Sequence, residues 1–277
     1  KVPLYSDPAV WNNLNSKFSA EWELPADVFS VATRITKDPF YNVAAAEGLF
    51  DSETYPPLDD GVWYLHVRFE NNIGWGPTAH WRIAIDTAPP LSFDIKVAEG
   101  LSTDIPSLSL DYKSGDSLSG IDRYSIRVDD AEPIITDKSS YVLPPQSPGK
   151  HLIKISAFDK AQNSTENSVL VEILPIASPI IASAPSSVVF GESVAISGSA
   201  LPNEKVRVTL KGSKNQVATF KEIGVDEKGS WRAEFSDPLP TGKYYAEVQT
   251  IDSRGAQSLV VKSGTINLKA KPLLIIG

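Results

Sequence analysis

Three stretches of this chain align without a gap, and that internal repeat limits the fold more than any other feature. The first runs from Gly61 through Trp63, Leu65, Val67 and Phe69 to Asn71. The second runs from Gly149 through His151, Ile153, Ile155 and Ala157 to Asp159. The third runs from Gly242 through Tyr244, Ala246, Val248 and Thr250 to Asp252. Each opens on a glycine, carries a ring two residues later, and closes on Asn or Asp ten residues on. Three positions further stands Gly74, Gln162 or Gly255. A side-chain period of two buries one face of a strand and leaves the other wet. The closing Asn or Asp suits a tight turn, because its side chain bonds its own backbone. Each stretch is therefore predicted to be the penultimate strand of a β-sandwich, followed by the turn into its last strand.

The three glycines lie 88 and 93 residues apart. That spacing is one immunoglobulin-type domain and too long for a solenoid repeat. The predicted class is all-β, with three tandem immunoglobulin-like β-sandwich domains spanning residues 1–90, 91–175 and 176–277. Asp86, Thr87, Ala88, Pro89 and Pro90 form the first joint, where two prolines deny ladder donors and stiffen the chain. Residues 174–179 form the second. Both are short, so a semi-rigid array is expected. Other alternating runs fit further strands: Phe18 to Leu24, Phe29 to Ile35, Trp81 to Ile85, Tyr124 to Val128, Val206 to Leu210 and Trp231 to Phe235. Trp22, Trp63, Trp81 and Trp231 fall at core parity. Residues 42–50 are the one place where a helical turn is expected.

Composition removes several functional classes. The chain has no cysteine, so disulfides, thiolate metal sites and a Cys nucleophile are excluded. Net charge is −8, which argues against nucleic acid as a partner. The charge is uneven. Residues 1–90 carry 6 basic and 12 acidic side chains, residues 91–175 carry 8 and 13, and residues 176–277 carry 12 and 9. Only the last segment is net positive. Methionine is absent even at position 1, so the chain is expected to be processed or part of a longer one. Lys1, Val2, Pro3 and Leu4 lead into no apolar stretch of the signal-peptide kind. No G-x-S-x-G elbow, H-E-x-x-H pair or P-loop occurs, and the expectation is a chain that is not an enzyme.

At these same residues the chain resembles bacterial immunoglobulin-like repeat domains of adhesin-type surface proteins. Asp86 to Pro90 resembles their D-T-x-P-P joint. Ser119, Gly120, Ile121 and Tyr124, together with Ala157, Asp159, Ala161 and Asn163, resemble their S-G-I-x-x-Y and A-x-D-x-A-G-N pair. Gln162 departs from that pattern, which has glycine, so a differently built turn is expected there. Gly198 to Pro202, Val225 to Trp231 and Leu239 to Tyr244 resemble a second bacterial immunoglobulin-like pattern. Asp51 to Tyr55 with Asp60 to Pro77 is similar to surface proteins of uncultivated bacteria, in which such domains precede a membrane helix. The resemblance implies surface display, adhesion or spacing, and no catalysis.

Four groups of residues invite a functional reading. Asn71, Asp86, Asp159 and Asp252, at the joint and in equivalent turns, are hard-oxygen candidates for calcium; turn capping is the alternative. No other cofactor is expected. Trp75, beside Gly74 and Gly76 at an expected loop tip, is the candidate ligand-binding ring, with packing onto a neighbour as the alternative. His66 and His80 share side-chain parity on neighbouring strands and are read as solvated. A metal there needs a third ligand such as Glu70. His151 stands where the other repeats have Trp63 and Tyr244, so packing suits it. Finally, Lys269 and Lys271 precede the apolar run Leu273, Leu274, Ile275 and Ile276, which reads as the start of a membrane anchor continuing past Gly277.

The resulting expectation is an extracellular, cell-surface stalk. The competing one is an adhesin-type module that binds a host or neighbouring-cell protein or carbohydrate through the first domain. An exposed aromatic platform on that domain separates the two.

Overall fold

The structure, a computed structural model, describes Val2 and residues 4–271. Every regular element among them is a strand. None of the described residues forms a helix long and apolar enough to cross a membrane. The apolar run Leu273 to Ile276 lies outside the described residues.

The strands form three successive pairs of sheets. Residues 11–85 give a five-stranded sheet ordered Trp11–Asn12, Ala79–Ile85, Gly61–Asn71, Ser30–Thr36, with Gly74–Trp75 added to Gly61–Asn71. Its partner has two strands, Phe18–Glu21 and Ser52–Tyr55. Residues 95–173 give a three-stranded sheet (Ser140–Val142, Ser109–Tyr112, Ile95–Val97) and a five-stranded one. The latter is ordered Ile134–Thr136, Ile121–Val128, Gly149–Asp159, Ser164–Ile173, Ser102–Thr103. Residues 180–269 give a three-stranded sheet of Ile180–Ser183, Val194–Ser199 and Ser230–Phe235 and a six-stranded sheet centred on Gly242–Ile251 and Lys205–Gly212. The fold is all-β, of tandem immunoglobulin-like sandwiches.

The repeat strands occupy the predicted residues, Gly61–Asn71, Gly149–Asp159 and Gly242–Ile251. In the last two, period-two burial is clean. His151, Ile153, Ile155, Ala157 and Asp159 are buried, as are Tyr244, Ala246, Val248 and Thr250. In the third sandwich these meet Val194, Ile196, Trp231, Ala233 and Phe235 of the opposing sheet in a single core. The first repeat strand departs from alternation, since Leu65 and His66 are both buried. Leu65 joins the core with Phe18, Ala20, Tyr55, Ile83 and Ile85. His66 is covered on the opposite face by the Tyr41 ring, 5.7 Å away.

The chain divides into two compact units. One comprises Lys1–Ile95, Tyr112–Ser139 and Ile153–Ser168, the other Lys96–Asp111, Ser140–Leu152 and Val169–Gly277.

Three sequence expectations change. Residues 42–50 form no helical turn. Val31 N donates to Gly48 O at 2.7 Å and Glu47 N to Val31 O at 3.0 Å, so the backbone groups that a helical turn needs are spent on the strand alongside. Phe29 precedes its strand and is exposed. Trp22, Trp63 and Trp81 pack against the core but remain partly exposed; only Trp231 has the deep burial expected of all four.

The turn at Gln162 is built like the glycine turns after all. Gly74, Gln162 and Gly255 all have positive φ, at 122°, 71° and 85°. Gln162 N bonds Asp159 O at 3.1 Å, and Gly255 N bonds Asp252 O at 2.9 Å. A residue with a Cβ is strained in that conformation, so Gln162→Gly should raise stability in urea denaturation, by about 0.5–1 kcal/mol. Trp231→Ala should cost about 3–5 kcal/mol and Trp63→Ala about half as much, because Trp63 is only half-buried. Gly198→Ala is a third case. Its Cβ would overlap the Ile180 carbonyl oxygen and come within 2.9 Å of Trp231 Cζ2. The same titrations should show a loss of about 3 kcal/mol from that overpacking.

Candidate functional site

Two places gather functional residues, the first joint and an open groove in the first sandwich. The joint begins where strand Ala79–Ile85 ends. Asp86 is fully buried there. Its Oδ1 accepts from Ala88 N at 3.2 Å and its Oδ2 from Ser119 N at 3.0 Å. Asn163 closes the arrangement. Its Nδ2 donates to Asp86 O at 2.8 Å, to Ala88 O at 3.2 Å and to Asp159 Oδ2 at 2.8 Å. Thr165 and Asn167 continue the stitch, donating to Pro90 O at 2.5 Å and to Phe93 O at 2.7 Å.

Carboxylate oxygens of Asp86, Asp116 and Asp159 lie within 4.8 Å of one another. Asp86 and Asp159 are fully buried. Among the described residues, no ion pair to any of the three occurs. Asp116 Oδ1 accepts from Leu118 N at 3.0 Å and Gly120 N at 2.8 Å, which fixes its loop. Three carboxylates without an ion pair are hard oxygen donors of the kind calcium takes, three of the roughly six to eight it needs.

The four calcium candidates thus separate. Asp86 and Asp159 are brought together. Asn71 and Asp252 are not, and both cap their own turns. Asn71 Oδ1 accepts from Ile73 N at 3.0 Å, and its Nδ2 donates to Asp27 Oδ2 at 2.6 Å. Asp252 Oδ1 accepts from Arg254 N at 3.0 Å and Ala256 N at 2.9 Å. Arg254 bridges Asp252 Oδ2 and Asp104 Oδ2, both at 2.9 Å. Its guanidinium lowers the Asp104 carboxyl below the usual range. The turn in the third repeat therefore carries its own cation where the equivalent turn at Asp159 has a third carboxylate. Asp116 was missed from sequence. It stands four residues before Gly120 of the S-G-I motif, where its bonds to Leu118 N and Gly120 N read as ordinary loop capping.

The groove has a volume of about 640 Å³ and is walled by Trp22, Trp75, Trp81, Phe69, Val28 and Pro77 among others. Trp75 is not at a free loop tip. It pairs with Glu70 across a two-residue strand, Gly74–Trp75. Arg68 holds this hairpin. Its Nε donates to Gly76 O at 2.6 Å, its Nη1 to Val43 O at 3.1 Å, and its guanidinium carbon lies 5.5 Å from the Trp75 ring centroid. Trp22 Nε1 donates to Phe50 O at 2.9 Å and Trp81 Nε1 to Tyr5 O at 3.0 Å. Trp22 and Trp81 thus have their polar edges satisfied within the sandwich and their positions fixed, as an aromatic wall requires.

His66 and His80 face each other across strands Gly61–Asn71 and Ala79–Ile85. The expectation of two solvated side chains fails for His66, which is fully buried. Its Nδ1 lies 2.8 Å from His80 Nδ1 and its Nε2 lies 2.9 Å from Thr36 Oγ1. Among the described residues, neither histidine nor Glu70 belongs to a cluster able to hold a metal. His151 is buried with Nε2 2.8 Å from Ser147 O, the packing role expected of it.

No protein-family model matches the sequence, and no curated protein matches it. Among solved structures, the chain is similar to a tetra-tandem repeat in the extending region of a large adhesion protein. The two share 18% identity over 92% of this chain and 71% of that one, with a TM-score of 0.32. It is similar to fibronectin(III)-like modules of Clostridium thermocellum CbhA, at 13% identity over 64% of this chain and 95% of that one, with a TM-score of 0.29. It is also similar to the FN1-FN3 domains of chicken CNTN1, at 12% identity over 90% and 94%, with a TM-score of 0.28. Likenesses this weak identify no family.

Burial, and then the neighbouring His80, hold His66 below its ordinary value of 6.5. The unfolded chain therefore binds a proton at higher pH than the folded one, and stability must fall as pH drops. Stability from this site is complete above about pH 6.5 and declines below it until the depressed folded value is passed. Urea denaturation between about pH 5 and 7.5 should show that decline in the wild type and its attenuation in His66→Phe.

Proposed function

We propose that this chain is a non-enzymatic stalk segment of an extracellular, bacterial cell-surface protein, built as three sandwiches with limits at residues 1–90, 91–175 and 176–277. The observation that carries the reading is the first joint. A spacer transmits position only if its joints resist bending. Here a buried carboxylate at the end of one sandwich accepts from Ser119 N of the next, while Asn163 grips the backbone at Asp86 and Ala88. Such bonds to a buried charge are worth more than neutral ones and are costly to leave unmade. The second joint has its own tie, with Ile176 N donating to Gln257 O at 3.1 Å. A membrane anchor following Gly277 would place the basic third segment beside an anionic membrane surface.

The exchange of this segment for an unrelated tandem sandwich array of equal length tests the stalk reading. Within the full-length protein, display and activity of the remaining domains should persist. Loss of activity at matched length overturns it.

Calcium belongs to the same reading. Asp86, Asp116 and Asp159 would hold the ion, which would neutralise their mutual repulsion and lock the joint. Millimolar calcium should raise the thermal midpoint of the wild type over that in chelator by the equivalent of about 1–3 kcal/mol. Asp116→Asn should abolish most of that increment while the protein remains folded. Equal midpoints with calcium and chelator rule out the ion.

A second reading is favoured by the groove: the first sandwich is an adhesin-type binding module, recognising a protein or carbohydrate of a host or neighbouring cell. A fixed aromatic wall of this volume is more than a spacer needs.

A further inference from the structure

We infer that the groove of the first sandwich takes a protein segment that presents an apolar side chain next to a lysine or arginine. This deepens the binding reading of the first sandwich and rests on it.

Two features of the groove select that occupant. The first is charge. Glu23 and Asp27 line it. A shallower hollow shares Trp22 and Glu23 with it and adds Asp51. Glu23, Asp27 and Asp51 are exposed. Asp27 accepts from Asn71 and Asp51 from Ser52, and among the described residues none of the three has an ion pair. Among the described residues, no lysine or arginine lines either hollow. Residues 1–90 as a whole carry 6 basic and 12 acidic side chains. An apolar wall with a carboxylate rim is complementary to an apolar anchor flanked by a cation.

The second feature is how this sandwich already uses its tryptophans. Lys37 Nζ lies 4.8 Å from the Trp63 ring centroid, the Arg68 guanidinium carbon 5.5 Å from Trp75, and that of Arg82 5.3 Å from Trp11. Indole is the best ring for a cation. Among the described residues, Trp22 and Trp81, the other two indoles of the groove, carry no cation. Both line the groove together with Glu23 and Asp27, and both remain partly exposed.

A sugar fits less well. Stacking on a pyranose needs a ring with a clear face, whereas Arg68 covers Trp75. A neutral sugar would also leave the carboxylate rim unused.

The test uses the whole chain and three hexapeptide probes of alternating sequence, Lys-Leu, Ser-Leu and Glu-Leu, with cellohexaose as a fourth. Binding is read by tryptophan fluorescence and calorimetry. The Lys-Leu peptide should bind at least about tenfold tighter than the Ser-Leu peptide, and the Glu-Leu peptide should not bind. Raising salt from about 50 to 500 mM should weaken the Lys-Leu complex severalfold. Glu23→Lys and Asp51→Lys, both on exposed side chains, should each weaken it by about tenfold with unchanged thermal midpoints. Trp75→Ala should weaken it too, and the two charge reversals keep the test decisive if that variant unfolds. Equal affinity for the Lys-Leu and Ser-Leu peptides overturns the cationic assignment while the groove remains a binding site. Binding of cellohexaose alone overturns the protein assignment in the same way. If no probe binds, both this inference and the binding reading fall.

Discussion

In a chain without cysteine, only apolar packing and backbone ladders hold two sheets face to face, and the period of two decides which side chains do it. The strands Gly149–Asp159 and Gly242–Ile251 show how strict that constraint is. Every second residue from His151 to Asp159 and from Tyr244 to Thr250 is buried. A register slip of one residue would send Lys154 or Glu247 into the core and Ile155 or Val248 into water. The closing aspartate of each strand then serves two ends. It lies at core parity and it caps the turn, with Asp159 accepting from Asn163 N and Asp252 from Ala256 N. Strand register and turn geometry are thereby locked by the same residue.

The two equivalent aspartates also show how one turn serves different chemistry. At Asp252 the neighbouring Arg254 supplies a positive charge and ties the turn to Asp104. At Asp159 the neighbours are Asp86 and Asp116, so negative charge accumulates in a buried place. Backbone N–H groups and the Asn163 amide offset part of it. Those donors come from the joint itself, at Ala88, and from Ser119 and Asn163 of the next sandwich, so the arrangement that eases charge burial also fastens the end of the first sandwich to the second.

Much of this was legible in the sequence, and the exceptions have a common cause. The repeat strands, their turns, the all-β class and the burial of Trp231 follow from periodicity and turn chemistry, which are local; that Asp86 and Asp159, two of four candidates, meet does not. What escaped depends on contacts between distant segments. His66 reads as solvated because its parity faces away from the core; Tyr41, twenty-five residues earlier, covers it. Asp116 joins the carboxylates only because its loop folds back onto the joint. Residues 42–50 have helical composition, but the strand through Val31 claims their backbone. Gln162 misled in the other direction. The turn's hydrogen bonds are strong enough to hold a side-chain-bearing residue at positive φ.

The tryptophans carry this reasoning to the groove. In the third sandwich, sheets of three and six strands enclose Trp231 almost completely. In the first, a sheet of two short strands faces one of five, and it ends at Glu21 while Gly61–Asn71 runs on. The smaller sheet cannot cover the larger, so the core residues at that end have no opposing layer. Small side chains there would leave backbone ladders open to water along one face. Large rings close the gap from the side, with Trp22 and Trp81 packing against the core edge while their outer surfaces stay accessible. The same mismatch that prevents these indoles from being fully buried is what makes them a wall, and the hydrogen bonds to Phe50 and Tyr5 make that wall rigid. A groove with this origin is a property of the fold itself, present before any partner arrives.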